Sequence, residues 1–406
     1  MLGSVAKDYE AGTPANENFD VGLDAKIAVT SSLNLDLTFN PDFAQAEVDE
    51  QITNLDRFEL FFPEKRQFFL ENNDLFANFG FDRMRPFFSR RIGLESPIIA
   101  GARLSGKINK DWRVGLMNIT TNRVNSTNSE DSVAIPMENY TVAALQRRVF
   151  ARSNISLILT NRDAINFDKM VYDSTSDYNN KYNRLIGIDY NLASKNNIWT
   201  GKFLIHKSFT PDVSTEDFAH GANLAYKTQK FKAEWNHEIV GRNYNAEMGY
   251  VPRTGYVRIA PELSYDFYPE STTVNRHGPR IENTTFWNSE LEHTDNEFEL
   301  RYEILWLNRA SAQAEYTLMF VRLQRPFDPT NSGGEQLPEG SSYNWQTIRA
   351  SFTSDARKRL NYEVGANYGG YFNGQRLRLN GTLTYRYQPY GSISVRTSYN
   401  DINLPD

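Results

Sequence analysis

The chain has 406 residues, a formal net charge of −6 and no cysteine. The absence of cysteine excludes disulfides, thiolate metal sites and cysteine nucleophiles. The negative charge and the lack of a basic block argue against nucleic-acid binding. No run of about 18 apolar residues predicts a membrane-spanning helix.

The N-terminal 20 residues are polar and lack the apolar core of a signal peptide. No Pro-, Gly- or Ser-rich linker divides the remaining chain. We therefore predict a tail or connector over residues 1–20 and one domain over residues 21–406.

From residue 21 onward, apolar and polar residues alternate with a period of two, which predicts β-strands. Leu33, Leu35, Leu37 and Phe39 form one such series, with polar residues between them. Further series lie at residues 98–105, 231–236, 297–306 and 376–387. The strands are about ten residues long, which is the length that a tilted strand needs to cross a bilayer.

These strands predict an all-β fold, a large antiparallel transmembrane β-barrel of roughly 18 strands. A barrel of this size is too wide for side chains to fill. We therefore expect the polar face to line a wet lumen and the apolar face to contact lipid. Tight turns such as 109–111 and 194–197 separate long polar loops such as 121–136 and 161–181, which is typical of bacterial outer-membrane barrels.

Residues 40–93 depart from this pattern because they mix many phenylalanines with charged residues. Such a stretch is too apolar for water and too charged for lipid unless its charges are paired. We predict that it is inserted into the lumen as a plug or constriction. Its predicted charge network comprises Glu47, Asp49, Arg57, Glu59, Glu64, Lys65, Arg66, Glu71, Asp74, Arg90 and Arg91.

No catalytic, cofactor or metal site is predicted. The five histidines lack close metal-ligand spacing, and there is no GxSxG motif. Glu47 with Asp49, or Glu59 with Glu64, would suit a glycosidase if the fold brought the pair within reach. The nearby arginines instead favour ionised carboxylates in a structural network.

The same stretch carries a family resemblance. The matching residues are Asn40-Pro41-Asp42-Phe43, Glu47, Asp49, Asn54-Leu55, residues 58–66, residues 68–71, Asp74-Leu75-Phe76, residues 89–93 and, more weakly, residues 249–253. They resemble an outer-membrane family of unknown function in Gram-negative bacteria.

The resemblance implies that full-length members carry a signal peptide, a domain similar to family-9 carbohydrate-binding modules, and a C-terminal barrel. It also implies an outer-membrane location. On this basis we expect the chain to be a fragment of the barrel region, without the signal peptide, the sandwich domain or the last strands.

We predict that the protein serves the passage or docking of a polar solute at the cell surface, with a glycan as one candidate. One alternative is a membrane-embedded hydrolase that acts on glycans through carboxylates of residues 40–93. Another is a structural partner of a surface complex. The expected partners are the outer-membrane bilayer and, as candidates, glycans or surface lipoproteins; the residues do not favour an enzyme or a cofactor.

Overall fold

The alternating sequence forms long β-strands that make up most of the chain. The computed structural model describes residues 2–6, 16–41, 49, 52–94, 96–125, 134–165 and 181–405. The strands of the first half are β1 (Leu2–Ala6), β2 (Asn16–Asp20), β3 (Leu23–Thr30), β4 (Leu33–Phe39), β5 (Ile98–Lys107), β6 (Trp112–Thr121), β7 (Val124–Asn125), β8 (Ala134–Ile135), β9 (Met137–Val149), β10 (Ser153–Ile165), β11 (Tyr182–Ala193), β12 (Trp199–Phe209) and β13 (Phe218–Lys227).

The second half contains further strands and no helix among the described residues. The strands are β14 (Phe231–Val240), β15 (Tyr256–Ile259), β16 (Glu262–Tyr265), β17 (Val274–Asn288), β18 (His293–Trp306), β19 (Ser311–Arg322), β20 (Ser342–Thr353), β21 (Leu360–Tyr371), β22 (Gly374–Tyr387) and β23 (Gly391–Asn403). The helical elements of the described residues lie between β4 and β5, and they are α1 (Gln67–Leu70), α2 (Asp74–Ala77) and a 3-10 helix (Ser89–Arg91).

One antiparallel sheet closes on itself as a barrel. It contains β3–β6 and β9–β23, and β23 lies beside β3 in the closed order. β15 and β16 share one position, because both pair with β14 and both pair with β17. The 19 strands of the barrel therefore occupy 18 positions, an even number, as antiparallel closure requires. The predicted all-β antiparallel barrel of roughly 18 strands is confirmed.

The break between β15 and β16 has a local cause. Pro261 has no N–H to donate to a neighbouring strand, so proline interrupts a ladder. The preceding residue, Ala260, still donates a backbone hydrogen bond to Asn236 O at 2.8 Å. The strand thus continues in the same direction after two residues, and the barrel wall remains closed at this position.

Two small sheets lie outside the barrel order. β1 pairs with β2 in the region predicted as a tail or connector, and β7 pairs with β8. For the described residues, the closed order places β23 beside β3. The two strands at the closure, β3 and β23, are exposed along almost their whole lengths.

The connections give the barrel two different ends. At one end, the short-turn end, the first connections are 31–32, 108–111, 150–152, 194–198 and 228–230. At the other end, the long-loop end, the connections are 40–97, the β6–β9 connection that contains β7 and β8, 166–181, 210–217 and 241–255. The second half also has tight hairpins at the long-loop end, between β17 and β18 and between β21 and β22.

The side chains of a strand alternate between an apolar outer face and a mixed inner face. In β11, Leu185 and Asp189 are buried towards the barrel interior, whereas Ile186 and Ile188 are 39% and 44% exposed on the other face. The same exposed apolar face recurs around the barrel in Leu116, Leu159, Phe203, Ile205, Trp235, Leu263, Ile281, Leu300, Leu318, Ile348, Leu379 and Val395.

The expectation of a polar and wet inner face is wrong for part of the wall. Inward residues such as Ile119, Ile158, Leu185 and Leu204 are buried in one apolar cluster with residues of the segment that follows β4. The reason is that the inserted segment supplies the volume that the wall side chains alone cannot fill.

Candidate functional site

Residues 52–94, which we call the inserted segment, cross the interior of the barrel. The segment leaves β4 at the long-loop end and returns to β5 at the same end. Its regular structure consists of α1, α2 and the 3-10 helix, and α1 begins four residues after Pro63. Its path is therefore fixed by contacts with the wall more than by regular structure.

Glycines in the wall make room for the phenylalanine rings of the inserted segment. A Cβ added at Gly115 in β6 would lie 2.5 Å from Cζ of Phe76, and one at Gly221 in β13 would lie 2.6 Å from Cε2 of Phe81. Any larger residue at these positions must displace a ring in the packed interior. The close approach of segment and wall thus depends on the absence of two side chains.

Several predicted network residues pair with each other. Glu64 accepts hydrogen bonds from Arg66 Nη2 at 2.8 Å and from Ser89 Oγ at 2.6 Å. Arg91 pairs with Glu59, and Arg90 pairs with Asp49. Asp49 also lies 3.4 Å from Lys65 Nζ.

Other members of the predicted network pair with the wall. The shared Asp295 in β18 accepts from both Arg57 and Arg253, the latter at 2.7 Å. Asp74 accepts from Arg113 of β6 at 2.6 Å. These contacts join distant strands of the barrel to one inserted segment.

The sequence did not indicate Arg103, which links the segment to β4 and β5. Its guanidinium is buried, donates to Asp36 at 2.8 Å and lies 3.7 Å from Glu71. Glu71 also pairs with Lys26 of β3. Glu47, the remaining predicted member, lies outside the described residues.

Arginines favour the ionised form of two carboxylates within residues 40–93, Asp49 and Glu64. The hydrogen bond from Arg90 lowers the pKa of Asp49 in spite of the opposing effect of burial. Burial acts to raise the pKa of Glu64, but the hydrogen bond and charge of Arg66 outweigh it, so this pKa is lowered as well. A general acid needs a raised pKa, whereas the pKa values of Asp49 and Glu64 are lowered.

A buried polar cluster, which the sequence pattern scarcely indicated, holds the tip of the segment. Asp189 of β11 accepts from Gly80 N at 2.9 Å and lies 2.7 Å from Nε2 of His206 in β12. Lys202, also in β12, donates to Gly80 O at 2.9 Å. The only available signal was that Lys202 and His206 are four residues apart and so share one face of a strand.

The 241–255 connection also turns into the barrel. Tyr250 and Arg85 exchange backbone hydrogen bonds at 3.0 and 2.9 Å, and Phe88 N donates to Met248 O at 2.6 Å. Tyr250 also donates its hydroxyl to Glu59 O at 2.7 Å. This inner loop contains residues 249–253 of the resemblance, and it packs against the inserted segment as a second layer.

Contact with the inserted segment is uneven around the wall. Strands β4–β6 and β9–β13, the covered sector, have buried inward residues such as Met117 and Leu204. In β20–β23, the free sector, Tyr371 is the single buried residue, and it donates its hydroxyl to Leu55 O at 2.9 Å. Tyr343, Trp345 and Ile402 pack on the small apolar cluster around Tyr371 and Phe372. The inner face of β20–β23 beyond this cluster has no buried residue.

The inner face of the free sector is rich in arginine. Tyr371 points inward, so the residues of the same parity in β21 also point inward, and the cross-strand register carries this face through β20, β22 and β23. Its charged residues are Arg349, Glu363, Arg376, Arg378, Arg386 and Arg396. Five positive charges thus stand against one negative charge.

A polar recess of about 280 Å³ lies between the tip of the segment and the wall. The amide side chains of Asn78, Gln146, Asn154 and Asn191 line it together with Lys202. Asn154 Oδ1 accepts from Gln146 and Asn191 at 3.3 and 2.9 Å. Because Gln146, Asn154 and Asn191 flank the turns 150–152 and 194–198, the recess lies towards the short-turn end.

Two kinds of feature are absent from the described part of the chain. No group of three or more histidines or carboxylates there is arranged to hold a metal ion. None of its helices has the length and apolar character needed to cross a membrane.

Comparison with solved structures finds two chains of low similarity. Acinetobacter baumannii OccAB4 is 9% identical with a TM-score of 0.39, over 73% of this chain and 90% of that chain. Pseudomonas aeruginosa OccK7 (OpdD) is 9% identical with a TM-score of 0.38, over 74% of this chain and 87% of that chain.

Comparison with curated proteins finds no match. A family model described as "Domain of unknown function (DUF5916)" matches residues 3–100 and 95–403, which is nearly the whole chain. The chain therefore belongs to the DUF5916 family.

Proposed function

We propose that the protein is an outer-membrane β-barrel through which small polar solutes pass beside the inserted segment. Its outer face supports a lipid environment, because apolar side chains such as Leu300 and Leu379 are 44% and 42% exposed there. A continuous apolar surface of this extent is unfavourable in water. Most strands have 10 to 15 residues, which is enough to cross a bilayer at a tilt.

The uneven cover of the inner wall carries the proposal. If the lumen were filled on all sides, the interior of the barrel would be a closed core. If it were empty, a barrel of 18 strand positions would form a wide pore. Here the inserted segment and the inner loop occupy one side, whereas β20–β23 keep exposed polar residues such as Arg349 and Glu363. A path along the free sector would be narrow and hydrated, which suits small polar solutes.

We assign the inserted segment the role of a fixed constriction that the ion pairs of residues 40–93 hold in place. Its charges are paired both internally and with the wall, as for Glu64 with Arg66 and Asp74 with Arg113. Moving the segment out would break its pairs with the wall, such as Asp74 with Arg113 and Arg57 with Asp295. The constriction therefore stays in place while the solute passes.

A glycan remains our candidate for the solute, and the amide-lined recess supports it. Planar amides such as those of Asn154 and Asn191 can donate and accept hydrogen bonds, as sugar hydroxyls require. The recess is just below the roughly 300–1,000 Å³ of pockets for drug-sized ligands, so it suits one small ring. The bilayer is the proposed partner, and contact with surface lipoproteins stays a prediction.

The test is channel activity of the purified protein in planar bilayers, together with swelling of proteoliposomes in small sugars. We expect discrete conductance steps in the wild type. Deleting residues 42–82 should raise the single-channel conductance, because the segment would no longer narrow the lumen. A matched deletion of residues 330–336, in the exposed loop between β19 and β20, should leave it unchanged.

Heat-modifiability on gels shows whether each variant is a folded barrel. A folded deletion variant with unchanged conductance would place the segment outside the solute path. A folded wild type without any conductance or swelling would overturn the proposed channel.

A further inference from the structure

We propose that Arg349, Asn367 and Arg378 form a binding site for an anionic group, a carboxylate or a phosphate, on the solute. The proposal rests on the channel proposed above and specifies which chemical group of the solute the free sector binds. Nothing in the inserted segment contributes to this site.

The three residues form one row on the inner wall. In the cross-strand register, Arg349 of β20 lies opposite Asn367 of β21, and Asn367 lies opposite Arg378 of β22. Neighbouring strands are about 4.8 Å apart, so the two arginines are roughly 10 Å apart at the backbone. Two side chains as long as arginine can close that distance around one bound anion.

Neither guanidinium is engaged by another group. Both arginines are exposed, and among the described residues no hydrogen bond or ion pair involves the side chain of Arg349, Asn367 or Arg378. This is unlike Arg376, which lies 4.3 Å from the centre of the Tyr371 ring, and Arg301, which pairs with Glu315. The row therefore keeps its donors available.

The strand between the arginines leaves space for a ligand. On the inner face of β21, Asn367 lies between Gly365 and Gly369, which carry no side chains. The amide of Asn380 in β22 lies over Gly365. A guanidinium offers a planar pair of donors that matches a carboxylate or phosphate. The amide of Asn367 can add one donor between them.

The experiment measures ion selectivity and block in planar bilayers. For the wild type we expect anion selectivity in a KCl gradient, and a decrease of the current by glucuronate or inorganic phosphate but not by the neutral glucose. A block by glucuronate indicates that the site binds a carboxylate, and a block by inorganic phosphate indicates that it binds a phosphate. The double variant R349Q/R378Q should lose the anion selectivity and weaken the block about tenfold or more, since each lost charged hydrogen bond is costly.

Two further variants separate binding from general charge. R349K/R378K keeps the positive charge but loses the planar donor pair, so we expect retained anion selectivity with a weaker block. Arg184→Gln, on the outer face of β11, removes one exposed arginine away from the lumen and should change neither property.

The outcomes for this row and for the channel are distinguishable. Conductance with unchanged selectivity and block in R349Q/R378Q would overturn the anion site and leave the channel standing. If no conductance is found, calorimetry of glucuronate and phosphate binding to the detergent-solubilised protein tests the site directly. Equal binding by wild type and R349Q/R378Q, or none by either, would then overturn it.

Discussion

The covered and free sectors of the wall are built from the same kind of strand but differ in what lies against their inner face. In the covered sector, inward residues such as Ile158 and Leu185 are at most 2% exposed, since the inserted segment packs on them. In the free sector, inward arginines such as Arg349 and Arg378 stay exposed. One sector therefore behaves as a protein core, and the other as a hydrated surface turned inward.

With the proposed function, this difference assigns stability to the covered sector and solute selectivity to the free sector. Substitutions in the covered sector should change folding more than conduction. Substitutions in the free sector should change conduction more than folding.

The largest effect is expected from breaking a buried ion pair of the inserted segment. Arg66→Ala leaves Glu64, whose side chain is 4% exposed, without its charge partner. Removing one partner of a buried pair typically costs about 3–5 kcal/mol. The measurement is urea unfolding of the refolded protein, with Glu64→Gln/Arg66→Met expected to lose less.

The matched control for that measurement is Arg349→Ala in the free sector. An exposed arginine without a partner should change the free energy of unfolding by no more than about 0.5 kcal/mol. Equal losses for Arg66→Ala and Arg349→Ala would remove the distinction between the sectors.

The next effect tests which face of the free sector meets lipid. Leu379→Arg in β22 places a charge on the outer face and should cost about 2–4 kcal/mol if the site is near the bilayer midplane. Asn380→Arg, one residue along, points inward and should cost much less. Unfolding titrations in lipid vesicles give both values, and similar costs would contradict the assignment of the faces.

A smaller effect is expected where wall and segment approach most closely. Gly115→Ala would place a methyl group 2.5 Å from the buried Phe76 ring, and such overpacking typically costs 1–3 kcal/mol. Gly381→Ala in β22 meets nothing closer than 3.6 Å and serves as the control. A neutral Gly115→Ala in thermal unfolding would mean that the ring has room to move.

The smallest effect is the pH dependence of the inserted segment. The pKa of Glu64 is lowered from its ordinary value of 4.5 in the folded state. The ion pair therefore stabilises the segment above about pH 4.5, and this contribution is lost as the pH falls through the lowered pKa. Protease cleavage within residues 52–94 should become faster below that pH in the wild type, whereas Glu64→Gln should lose most of this dependence. A wild type whose cleavage rate is the same from pH 7 to pH 3 would contradict it.

The barrel was predictable because its signal is local. A period of two in strands such as β4 and β22 identifies an apolar face without any knowledge of neighbouring strands. The number of strands followed from counting such segments, and the exceptional composition of residues 40–93 marked the inserted segment. The burial of Met117 and Ile119 on the inner face of β6 was not predicted, because apolar and polar residues occur on both faces of this strand and the period gives no direction there.

The contacts that define the candidate site were decided only by the tertiary structure. Asp189 and Gly80 are 109 positions apart in the chain, and their hydrogen bond exists because the segment crosses the barrel to reach β11. The row of Arg349, Asn367 and Arg378 likewise depends on strand register, since a shift of one residue would turn each side chain to the other face. Sequence alone fixes which residues alternate; closure of the sheet and the path of the inserted segment determine which of them are buried, paired or left facing water.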